Sequence, residues 1–113
     1  MKPIESVKAH FALYKRRRVE VPQWAQEDGT PLVLYSDPMT LADKQKVRGY
    51  LEEHGDVIGL VHLLILKART EDGKPVFTLD DKHALVHKAD PDVIARIARE
   101  ITRPPRIEEL EKN

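Results

Sequence analysis

The chain has 113 residues, enough for one domain with a modest hydrophobic core. It contains no cysteine, which excludes disulfides and thiolate metal sites. Basic and acidic side chains balance at 19 each, so no overall field draws the molecule to DNA or to an anionic membrane.

Locally the balance fails. Residues 1–22 carry six lysines and arginines against Glu5 and Glu20. The first eleven residues, MKPIESVKAHF, lack the apolar stretch of a signal peptide. The default expectation is therefore a soluble, intracellular protein. Ile4, Val7, Phe11 and Tyr14 recur at three- and four-residue steps, one stripe of a short amphipathic helix starting near Pro3. This predicts an N-terminal helix or arm over 1–14, which either packs on the core or orders only against a neighbouring subunit.

A single core domain is expected over 15–103. Val19 and Val21 alternate with Glu20 after Arg16, Arg17 and Arg18, predicting a half-buried strand over 15–21 that Pro22 stops. A second strand is expected over 32–35, after the Asp28-Gly29 turn, giving a hairpin within 15–35. Trp24 in the loop should fold back over it. Two strands alone are marginal in water, so the hairpin must lie on the helices or pair with another chain.

Helical signals follow. Thr40, with Asp43 three positions on, opens a helix at about 41–54 whose Val47, Tyr50, Leu51 and His54 share a face. Gly49 inside it suggests a close approach by another helix. Gly55 ends this helix and Asp56 can cap the next, at about 57–69, which contains the most apolar run of the chain, VIGLVHLLILKA. Being apolar nearly all round, it should be the central buried helix, with Lys67 and Arg69 in its last turn. The run is too short for a bilayer, which needs roughly 20 apolar residues. After the turn Thr70-Glu71-Asp72-Gly73-Lys74-Pro75, Thr78 and Asp81 frame a short helix at 79–87. Asp90-Pro91 opens the last helix, 91–102, with the buried stripe Ile94, Ile97, Ala98 and Ile101. Pro104-Pro105 ends it, and 104–113 reads as a charged, mobile tail. The fold class expected is α+β, mostly α: a small N-terminal β-hairpin packed on a bundle of about four helices.

Chemistry is hard to find. His83 and His87 lie four apart on a predicted helix, but Ala84 stands where a helical metalloprotease carries its glutamate, and no third ligand is at hand. Glu52-Glu53 and Asp80-Asp81 are adjacent pairs that diverge on a helix. No Gly-rich phosphate loop or nucleophile motif is present. The expectation is a protein that is not an enzyme, with no catalytic residue, no cofactor and no metal. Arg16, Arg17 and Arg18 invite comparison with a nucleic-acid footprint, which keeps a small nucleic-acid-binding or regulatory module using 15–18 as the alternative. The balanced charge and the absence of interleaved aromatics weigh against it. A solvated edge strand explains the same residues.

Taken in order, the pieces VEVPQW, LVLYSDPMTLADKQ, the apolar helix and ARTEDGKPVFTLDDKHALVHKADPDVIARIAREI resemble the tail assembly chaperone family of long-tailed bacteriophages. The likeness covers roughly residues 19–101 and consists of turns and caps. Members often carry an arginine just before the Pro-Leu-Thr-like step; here the residue is Asp37. The resemblance implies a non-enzymatic protein of the host bacterial cytoplasm, absent from the mature virion, that binds and solubilises the tape measure protein during tail morphogenesis. It also implies a frameshifted longer product, extending from the tail, that engages the tail tube protein. Ile4, Val7 and Phe11 would then be partner-binding anchors in a homo-oligomer, and Arg16, Arg17 and Arg18 would meet acidic stretches of a client. No membrane partner is implied.

Overall fold

The computed structural model describes residues 2–105, which form α1 (Pro3–Ala12), β1 (Arg17–Ala25), β2 (Pro31–Ser36), α2 (Leu41–Lys67), α3 (Lys82–His87) and α4 (Pro91–Thr102). A 3-10 turn at Leu79–Asp81 leads into α3. The architecture is the expected one, a two-stranded antiparallel hairpin against a set of helices. No described helix is long and apolar enough to cross a membrane.

Strand β1 follows the period of two: Arg17, Val19 and Val21 turn inward while Arg18 and Glu20 face water. Val19 pairs with Leu34 and Val21 with Leu32. Pro22 does not end the strand, as the sequence suggested. It lacks the N–H that a ladder needs, so the register shifts between Val21 and Ala25, and pairing resumes at Ala25 and Pro31. The loop closes through Gly29 (φ 85°), whose N–H donates to the Gln26 carbonyl at 2.9 Å. Trp24 lies in this continuation of β1 and not in the loop, and instead of covering the hairpin it meets Phe77 edge to face with centroids 6.0 Å apart.

The predicted helices at 41–54 and 57–69 are the two limbs of α2. Gly55 (φ 88°, ψ 166°) breaks the helical conformation between them. The second limb ends at Lys67, two residues earlier than expected, because the chain turns extended at Ala68 (ψ 119°). Arg69 then exchanges backbone hydrogen bonds with Tyr35, its N–H donating at 2.7 Å and its carbonyl accepting at 2.8 Å, and bridges to Pro75 on its other side. Leaving the helix thus lets residues around the 70–75 turn prolong the sheet.

Of the expected caps, those at Thr40, Thr78 and Asp90 form. Thr40 and Asp43 form a full capping box, the Asp43 N–H donating to Thr40 Oγ1 at 3.0 Å and the Thr40 N–H to Asp43 Oδ2 at 3.1 Å. The Thr78 N–H donates to Asp81 Oδ2 at 2.9 Å, and Asp90 accepts from the Asp92 N–H ahead of α4. Val93, Ile94, Ile97, Ala98 and Ile101 bury one face of α4 against Val19, Val21 and Leu34 of the sheet and Val61, Leu63 and Leu64 of the second limb. The apolar run is therefore the centre of the core. The expected tail lies, from residue 106 onward, outside the described residues.

Candidate interaction surfaces

No residue of α1 is buried. Its apolar stripe faces outward, with Ile4 at 53%, Val7 at 62% and Phe11 at 39% of their full exposure. Phe11 meets Tyr14 edge to face at 5.9 Å and leans over the start of α2, lining a cleft with Pro38, Asp43 and Leu66. The helix itself follows from Pro3 in its first turn and Glu5 against the positive end of the dipole. Its periodicity is thus satisfied in conformation and unsatisfied in packing.

The three arginines do not act as one patch. Arg17 is buried and donates from Nη1 to the Glu100 carbonyl, placing its charge at the carbonyl-rich end of α4. Arg16 remains exposed, donating to the Glu71 carbonyl at 2.8 Å and lying 4.7 Å above the Tyr35 ring. Arg18, also exposed, pairs with Glu20 at 2.7 Å. Strand parity explains the split, since Arg17 shares its face with Val19 and Val21. The signal was in the alternation. Reading the arginines as one run overlooked it.

Across the elbow at Gly55 the limbs of α2 run antiparallel. Lys67 on the second limb pairs with Asp43 on the first at 2.9 Å, and Gly59 lies against Leu51. Three rings also stack across the limbs: His62 lies on His54 at 4.1 Å, nearly parallel, and on Tyr50 at 5.1 Å. The sequence showed each histidine as solitary, because only the antiparallel pairing brings 54 and 62 together. His62 is 9% exposed, and its Nε2 has no hydrogen-bond partner among the described residues.

His62 is held below the ordinary imidazole value. Burial away from water is the largest cause, His54 and Lys82 add to it, and Glu53 opposes it more weakly. The unfolded chain therefore binds a proton more readily than the folded one. Stability should be level above the ordinary value of 6.5, decline as pH falls below it, and level off once pH has passed the lowered value. His62→Leu, which removes both the titration and the orphaned nitrogen, should abolish that part of the decline. Urea unfolding at pH 8 and pH 5.5 checks this; an equal decline in the variant would assign it to other groups.

His83 and His87 stand with centroids 4.5 Å apart on α3, both exposed. Among the described residues no three His, Asp or Glu side chains gather so as to hold a metal ion.

The sequence matches no protein-family model and no curated protein. The class of molecule is defined by its fold: an N-terminal helix, an antiparallel hairpin, a long helical hairpin and two further helices. That fold is similar to the solved structure of the bacteriophage HK97 tail assembly chaperone, with a TM-score of 0.52 at 18% identity. The match covers 91% of this chain and 99% of that one. At that identity the likeness is one of fold.

Proposed function

We propose that this chain is a non-enzymatic phage tail assembly chaperone that binds and solubilises the tape measure protein while the tail is built. The observation that carries the reading is the fold likeness to the HK97 protein, which runs over nearly the full length of both chains. One feature supports it. The stripe of Ile4, Val7 and Phe11 stands unpacked on an otherwise folded molecule, as suits an arm that completes itself on another subunit of a homo-oligomer. The work belongs to the host cytoplasm and ends before the virion is complete. A longer frameshifted product would carry the link to the tail tube protein.

The nucleic-acid alternative gains nothing from the geometry, because Arg17 is turned inward and Arg18 is paired with Glu20.

Co-expression with the tape measure protein of the same phage tests the proposal. The expected result is a client that moves from the insoluble to the soluble fraction and co-elutes with this chain. A client that stays insoluble beside soluble chain would overturn it.

A further inference from the structure

We infer that the first limb of α2 is a flap hinged at Gly55, latched by the His62 ring and released when that ring takes a proton. Burial separates the two limbs. The buried residues of α2, Gly59, Val61, His62, Leu63, Leu64 and Lys67, all belong to the second limb, and no residue of the first is buried. The ties of the first limb to the second include Asp43 on Lys67, Leu51 on Gly59, and Tyr50 and His54 on the His62 ring. A helix held by so few apolar contacts belongs to the least stable part of a fold, and one of this length is marginal in water once detached. The hinge is built for turning. Gly55 has a φ of 88°, which glycine adopts freely, and an added Cβ there would meet nothing within 4 Å.

The latch works because the shut flap has no place for a charge on His62. An imidazolium donates from both nitrogens, whereas the buried Nε2 of His62 has no acceptor among the described residues. Burial opposes the proton most, and the groups facing the ring from both sides add to it: His54 from the first limb and Lys82 from α3. Glu53, with its carboxylate 3.7 Å from His54 Nε2, favours the proton more weakly, as does the π face of Tyr50. His83 and His87 line the cleft that His54 shares with Lys82 and bring no negative charge to it. The charge is satisfied by water, and water reaches the ring when the first limb swings away. Release uncovers the strip of the apolar run around Gly59 and His62. The far end stays tied, since Asp43 is held below 3.8 and remains ionised beside Lys67 at pH 5.

The device goes beyond the chaperone reading and does not depend on it. Amide hydrogen exchange of the full chain tests it, each rate being divided by the intrinsic rate at its pH. Residues 47–54 should exchange through an opening that low urea leaves unchanged, while residues 93–101 of α4 respond to urea as global unfolding does. One proton, bound with the ordinary value of 6.5 once the ring is free, favours opening by at most about thirtyfold at pH 5. Protection of 47–54 should therefore fall by about fivefold to thirtyfold between pH 8 and pH 5. His62→Phe keeps a ring in the stack without a titrating nitrogen and should abolish that fall; His62→Leu is the second variant should phenylalanine not fit. Exchange of 47–54 as sensitive to urea as that of α4 would overturn the inference, because the limb would then open only with the whole molecule. So would protection that does not fall with pH, or a fall that survives in the folded variant.

Discussion

Gly59→Val should be among the most destabilising single substitutions in the chain, lowering stability by roughly 3 kcal/mol or more. A Cβ at Gly59 would lie 2.6 Å from Leu51 Cδ2, 3.1 Å from its Cα and 3.3 Å from its backbone nitrogen. The side-chain atom can move, but the backbone atoms cannot without parting the two limbs. Overpacking of this kind costs typically about 1–3 kcal/mol, and valine adds two further methyl groups to the same gap. Gly59→Ala gains about 1 kcal/mol of helix propensity and still should be net destabilising, because the backbone contact remains. Gly49 is the control. It is exposed, with nothing within 4 Å of an added Cβ, so Gly49→Ala should stabilise by about 0.5–1 kcal/mol. Urea midpoints for the three variants check the order. If Gly59→Ala proved as stable as Gly49→Ala, the limbs would not be in close contact.

The two glycines also mark how far the sequence could be read. From sequence, Gly49 is the natural suspect for a helix contact and Gly59 is one small residue in an apolar run. Which glycine is packed depends on how the limbs pair about Gly55, and that pairing has no local signature. The same pairing hid the stack of Tyr50, His54 and His62. By contrast, the boxes at Thr40 and Asp43 and at Thr78 and Asp81, the Asp90-Pro91 opening of α4 and its isoleucine stripe each lie within a turn or two of helix. All were legible. Strand β1 was legible up to Pro22, where proline reads as a stop in isolation but needs only a local shift of register when β2 is alongside. The stripe of Ile4, Val7 and Phe11 is a third case. Its periodicity was plain, but periodicity sets conformation and not packing, and among the described residues no side chain of α1 is buried.

The second large effect is expected at the open end of the same hairpin. Lys67 Nζ donates to Asp43 Oδ2 at 2.9 Å, and that oxygen also accepts the Thr40 N–H of the capping box. One carboxylate thus ties the start of the first limb to the end of the second. Each charge also suits its own helix end, negative in the first turn and positive in the last. The side chains are 21% and 8% exposed, so the ammonium is the more deeply buried partner. Asp43→Ala should therefore be the worse variant, costing roughly 2–4 kcal/mol, because it strands Lys67 and removes the carboxylate half of the capping box together. Lys67→Met leaves Asp43 capped and partly hydrated, and should cost about half as much. Combined with Asp43→Asn it should recover part of that loss, giving a coupling of about 1–2 kcal/mol in a double-mutant cycle.

The pH dependence follows from the same geometry. Burial pushes the Asp43 carboxyl up, but Lys67 and the Thr40 N–H outweigh it and hold the group below its ordinary value of 3.8. The folded chain thus holds its proton less readily than the unfolded one. The contribution is present above 3.8 and is lost as pH falls below that value through the lowered one, a window well separated from that of His62. Singles that each cost under about 0.5 kcal/mol and add without coupling would mean that solvent screens the pair, as it does on open surfaces. The limbs would then be held by packing, such as that of Gly59 on Leu51 and the ring stack.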